Sequence, residues 1–157
     1  MANIDDYVSG KILTDTKWAF FLLKFVKVPI LGYKIKKELI IKVKAFEPKV
    51  INIKLASLLI NESQKCAAGE RVCRVLYKNS EFTESVFLDG LAEGMTKIGS
   101  ARYVTKQEAI RILKKYSNRP LIISKVSGSY VELCRSWPPK CVYWNMERCG
   151  LKCLEKN

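Results

Sequence analysis

The stretch LIISKVSGSYVELC, residues 121–134, decides most of the architecture. β-branched and aromatic residues lie on both sides of Ser127, Gly128 and Ser129. The pattern predicts two antiparallel strands, Leu121–Val126 and Tyr130–Cys134, around a tight turn. The chain has 157 residues, of which 48% are hydrophobic and 27% charged, enough for one ordinary core.

Working back from the hairpin, Asn118 and Pro120 stop a helix that Thr105 and Glu108 open as a capping box and that carries Ala109, Ile110 and Leu113. Ala101–Val104 is short and extended. Before it, Thr83 introduces Val86, Phe87, Leu91, Met95 and Ile98 at helical intervals, and Gly99 stands where a left-handed cap belongs. Arg71–Tyr77 reads as a short strand. Val50–Ile60 suits a strand in its first half and a helix in its second. In Leu39–Ala45, Leu39, Ile41 and Val43 alternate with Lys42 and Lys44, which predicts a half-exposed strand. Thr14 or Asp15 opens a helix through Lys27 that Pro29 and Gly32 end. The expected fold is α+β or α/β, with about three helices on a small, mostly antiparallel sheet. Residues 1–133 form one globular domain with a basic N-terminal part, 11–54. Residues 134–157 form a cysteine-rich tail packed near Cys66 and Cys73.

Six cysteines are the most informative chemistry present: Cys66, Cys73, Cys134, Cys141, Cys149 and Cys153. Six residues separate Cys66 from Cys73 and Cys134 from Cys141, seven separate Cys141 from Cys149, and three separate Cys149 from Cys153. None of these gaps has the two-residue spacing of a zinc knuckle or a thioredoxin-type site. The chain contains no histidine, which removes Ser–His and Cys–His nucleophile pairs and leaves Cys, Asp and Glu as side-chain metal ligands. Thiolates on loops suit an iron–sulfur centre, with zinc as the alternative. The expected ligand set is Cys134, Cys141, Cys149 and Cys153, or a mixed set with Cys66 and Cys73. Arg71, Arg74, Arg135, Lys140, Arg148 and Lys152 lie near these cysteines in sequence and are expected to draw them towards the thiolate. Disulfides, as in heat-adapted archaea and bacteria, and simple burial are the competing readings.

The phrases CAAGERVCR, FLDGLAEGM, GSARYVTKQEAIRILKK and ELCRSWPPKC, spread over about residues 66–141, together resemble the cysteine-bearing region found beside ferredoxin modules in iron–sulfur oxidoreductases. In that family the second cysteine group is denser, with adjacent cysteines, whereas Cys134 and Cys141 stand apart. The resemblance implies electron transfer beside a redox partner protein, or a structural cluster. Separately, Glu132 followed by Cys134, Cys141 and Tyr143 looks like the end of 4-vinyl reductase-type domains, which implies a small-molecule sensor.

Charge supplies another reading. The formal net charge is +13, and residues 11–54 hold eleven lysines against Asp15, Glu38 and Glu47. A lysine-rich solvated surface explains this in a thermophile-like protein. The alternative is a nucleic-acid surface using Lys34, Lys36, Lys37, Lys42 and Lys44, since aromatics are interleaved with the basic residues. Glu81, Glu84, Asp89 and Glu93 form an acidic patch suited to a helix start, and no glycine spacing makes a phosphate loop, so no independent catalytic activity is expected. Met1–Gly10 lacks the layout of a secretory signal, and Trp18–Tyr33 is interrupted by Lys24, Lys27 and Pro29. That window falls short of a transmembrane segment but leaves a helix lying on a membrane surface open. The expected setting is cytoplasmic.

Overall fold

The hairpin forms as its sequence dictates. In the computed structural model, which describes residues 2–76 and 84–156, β5 (Leu121–Val126) and β6 (Ser129–Arg135) pair antiparallel through a two-residue turn. Ser127 and Gly128 both have positive φ, 51° and 85°, the geometry that matches the twist of the flanking strands. Ser127 is not a residue that favours this region, and the chain start holds it there. Its amide donates to Ala2 O at 2.7 Å, and its hydroxyl accepts from Ile4 N and donates to Asn3 Oδ1, each at 3.1 Å.

The remaining strands are β1 (Lys49–Ile51), β2 (Cys66–Gly69), β3 (Ser85–Leu88), β4 (Ala101–Tyr103) and β7 (Glu155–Lys156). They build one sheet in the order β4-β2-β3-β6-β5-β1-β7, antiparallel except for the parallel β1–β7 pair. The helical segments are α1 (Ile4–Val8), α2 (Lys11–Leu23), α3 (Leu31–Lys44), α4 (Ile53–Glu62), α5 (Val72–Leu76), α6 (Asp89–Lys97), α7 (Lys106–Lys114) and α8 (Val142–Arg148). The α+β class therefore stands, but the small sheet with about three helices does not. The described residues hold a seven-stranded mixed sheet and eight helical segments.

Three misread stretches account for most of that difference. Residues 39–44 belong to α3 and Ala45 is its C-cap, because the buried residues are Gly32, Ile35, Leu39 and Val43 at helical spacing, while Ile41 faces solvent. Val72–Leu76 is helical rather than extended; Tyr77 lies outside the described residues. The helix expected from Thr83 is two elements, with Val86 and Phe87 in β3 and Leu91 and Met95 in α6; Thr83 also lies outside the described residues. Thr105 accepts from Glu108 N at 3.1 Å to cap α7, and Gly99 has φ of 73° after α6, as their residues lead one to expect. The first long helix differs in its bounds: it begins at Lys11 after Gly10, not at Thr14 or Asp15, and ends at Leu23 rather than Lys27. Asn52, not singled out from the sequence, caps α4 by accepting from Leu55 N at 2.9 Å.

Alternation along β5 and β6 divides the molecule into two layers. Leu121, Ile123, Val131 and Leu133 join a core with residues of α4, α6 and α7, including Ile60, Leu91 and Leu113. Ile122 and Cys134 join the other, with Ile35, Leu39 and Val43 of α3 and Tyr143 and Met146 of α8. Residues 134–156 are thus built into this sheet and core. Cys134 is within β6, α8 contributes to the second core, and β7 extends the sheet edge.

Candidate ligand cavity and cysteine cluster

The second layer carries the polar chemistry. On β6, Glu132 is two residues from Cys134 and so shares its face, with Ser124 and Ile122 opposite them on β5. α1 brings in Tyr7, whose hydroxyl donates to Glu132 Oε2 at 2.7 Å. α8 brings in Tyr143, whose hydroxyl lies 3.1 Å from Ser124 Oγ. The segment after β2 contributes Arg71 and Cys73. Of these residues, Tyr7, Arg71, Cys73, Glu132 and Tyr143 line a cavity of about 430 Å³, within the size range of small-molecule sites, roughly 300–1,000 Å³. Leu22, Leu39, Val43, Phe46 and Met146 add apolar wall, and the lining continues to the exposed Trp18 and Ile41, so the cavity reaches the surface between α2 and α3.

Arg71 is the unusual member. Its Nη1 donates to Arg135 O at 3.4 Å, a long bond, while its buried Nε has no acceptor among the described residues. No described carboxylate stands within ion-pairing distance of it. Burial works against its charge, but Cys134, Cys73 and Cys141, once ionised, together with Glu132, hold its pKa above the ordinary guanidinium value. The group remains a cation. A half-buried cation with an unused buried donor is costly, and an acceptor brought into the cavity would relieve that cost.

The thiols respond oppositely to the sequence expectation. Burial pushes the Cys73 thiol up to about 11 and Cys134 well above its usual value, although Arg71 pulls both down. Burial likewise pushes Cys153 up to about 12, with Glu147 adding to it. Basic neighbours do not prevail, because desolvation outweighs Arg71 at Cys73 and Cys134 and Lys156 at Cys153. These thiols are protonated at neutral pH.

The six cysteines divide as follows. Cys66, in β2, packs in the first core with its sulfur 3.2 Å from Ser63 Oγ. Cys73, Cys134 and Cys141 surround Arg71, with Cys141 at the N-terminal boundary of α8. Cys149 closes α8, and Cys153 donates to Tyr143 O at 3.6 Å. Glu147 fixes that last segment by accepting from the amides of Cys153 at 2.7 Å and Leu154 at 2.9 Å. All six are unlinked thiols, and among the described residues no three Cys, Asp or Glu side chains come together as a metal-binding group. The expected four-sulfur set is not assembled. The five lysines of the basic reading, Lys34, Lys36, Lys37, Lys42 and Lys44, are all exposed on α3, with Lys42 near Asp15 at 3.9 Å and Glu38 at 3.5 Å.

Compared with protein-family models, curated proteins and solved structures, the chain matches none. Function must therefore be argued from the site alone. Of its polar residues, Glu132, Tyr143 and Cys73 are named from the sequence, and Arg71 only as one of six basic neighbours of the cysteines; Tyr7 carries no such signal. Arg71 stands just beyond CAAG, a strand whose four residues are all buried.

Proposed function

We propose that this protein is a small-molecule-binding domain, taking into the cavity between the sheet and α2–α3 a compact ligand with an apolar body and a carboxylate head. The observation that carries this reading is Arg71: a half-buried cation whose buried Nε donor has no acceptor among the described residues, in the wall of an otherwise mainly apolar and aromatic cavity. Tyr7, Glu132, Tyr143 and Ser124 form hydrogen-bonded pairs beside it, which fixes the polar end in shape. Leu22, Leu39 and Val43 offer the apolar body its contact. The reading is a sensor or carrier. A cytoplasmic setting agrees with six unlinked thiols.

The iron–sulfur or zinc reading, with its redox partner, gains no support from protonated thiols grouped round a cation. The basic face on α3 does not by itself select nucleic acid. Octanoate and 1-octanol, which share an alkyl body, separate the proposal from non-specific apolar binding. Octanoate at a hundredfold excess over its Kd should raise Tm by about 5 °C or more. Octanol should bind at least tenfold more weakly, and Arg71→Gln should remove the difference between the two. Equal binding of both by the wild type, or binding of neither, contradicts the reading.

A further inference from the structure

The segment joining α2 to α3 presents apolar side chains to solvent. Phe21, Phe25, Val28, Ile30, Leu31 and Tyr33 are all exposed, Ile30 at 84% and Tyr33 at 74%. A solvent-facing cluster of this kind usually marks an interaction surface. The backbone holds it in one shape. Leu31 N donates to Pro29 O at 2.6 Å across Ile30, whose φ of 62° and ψ of −58° form a tight turn of the rarer hand that β-branched residues seldom adopt. Behind the turn, Gly32 packs so closely that an added Cβ would clash with the Val26 carbonyl. That close approach fastens the start of α3 against the backbone of Phe25 and Val26 in the connecting segment. The most exposed apolar residue of the group therefore stands on a constrained tip, not on a loose loop.

The charge around the tip has one sign. From Thr16 to Lys37 the chain contains Lys17, Lys24, Lys27, Lys34, Lys36 and Lys37 and no acidic residue. All six lysines are exposed, and none forms an ion pair with a described residue. Apolar side chains on a turn flanked along the chain by exposed lysines complement the interface of an anionic bilayer, where headgroup phosphates meet lysines and acyl chains meet Ile30 and its neighbours. A second copy would set six lysines against six more. Nucleic acid would answer the charge but leave Val28, Ile30 and Leu31 without a complementary surface.

We infer that the α2–α3 turn docks the protein onto membranes rich in anionic phospholipid, with Ile30 and Leu31 entering the interface and the surrounding lysines on the headgroups. No helix among the described residues is long and apolar enough to cross a membrane, so the contact is peripheral. The inference is independent of the cavity, because Lys24, Lys27, Ile30 and Leu31 are not part of its lining.

Flotation of the full chain with phosphatidylcholine vesicles, with and without phosphatidylglycerol at three parts in ten, tests it. Binding is expected only to the anionic vesicles and should weaken as salt rises. Lys24→Glu with Lys27→Glu should lower the partition at least tenfold, and Ile30→Asp should lower it comparably while leaving octanoate binding and Tm unchanged. Failure to bind anionic vesicles, equal binding to neutral ones, or full binding by Ile30→Asp overturns the inference. Two other results also overturn it: a duplex nucleic-acid complex lost in the lysine variant but kept in Ile30→Asp, and a concentration-dependent dimer abolished by Ile30→Asp.

Discussion

On one face of the sheet, Phe87, Leu91, Leu113 and Leu133 pack with the apolar sides of α4, α6 and α7 and are almost completely buried. On the other, Ile122 and Cys134 share their layer with Arg71, Glu132 and further thiols, and α2 beyond them has no fully buried residue. Both layers belong to one sheet, yet they are built to different rules. The first satisfies what a stable core requires: dense apolar packing and few polar atoms. The second retains a cavity, a cation with no ion-pair partner among the described residues, and protonated thiols, features that lower stability and that fit the ligand site proposed above.

The contrast breaks most readily from the first face. Phe87→Ala should cost about 3–5 kcal/mol in urea unfolding, whereas Leu39→Ala, in the wall of the existing cavity, should cost about 2 kcal/mol. Equal losses would remove the distinction between the layers. Alkaline pH should produce the next largest effect. The Cys73 and Cys153 thiols have folded pKa values raised from the usual 9.0 to about 11 and about 12. Their unfolded forms therefore release protons first, so their contribution to stability is complete below pH 9.0 and is lost as pH rises to about 12. Tyr7 and Tyr143, raised in the same direction by burial, extend the loss above their usual 10.0. Cys73→Ala should flatten the lower part of that decline in a pH series of denaturation curves.

A smaller effect carries the opposite sign. Arg71→Met replaces a half-buried cation with an apolar side chain of similar length and should raise stability by about 1–2 kcal/mol while octanoate binding is lost. A destabilised Arg71→Met protein would show that the cation supports the fold rather than the site. The smallest expected effect is none at all: overnight EDTA should leave Tm unchanged, and iron, zinc and acid-labile sulfide assays should stay far below one per chain. Stoichiometric metal, or a fall of several degrees on chelation, would return the cysteines to a ligand role.

Much of the first face was legible in the sequence because its signals are local. The Thr105 cap, the Gly99 stop and the Ser127-Gly128 turn each act within a few residues, and each forms as its residues require. α3 was misread because Leu39, Ile41 and Val43 alternate with lysines, a strand pattern that also occurs on a helix. Ile35, Leu39 and Val43 at four-residue steps were the better guide. The site was less legible for a physical reason. Cysteines show in a sequence, but the burial that keeps Cys73 and Cys134 protonated does not, and neither does the meeting of α1, α5 and β6 that brings Tyr7, Arg71 and Glu132 together. A lone arginine in a basic chain looks like any surface arginine until the sheet closes over it.

A crystal structure of the full chain soaked with octanoate tests the central claim most directly. The account predicts the carboxylate within hydrogen-bonding distance of Arg71 Nε, with the alkyl chain running towards Leu22 and Leu39. Octanoate bound elsewhere, or lying in the cavity with its carboxylate turned to solvent and Arg71 untouched, would contradict it.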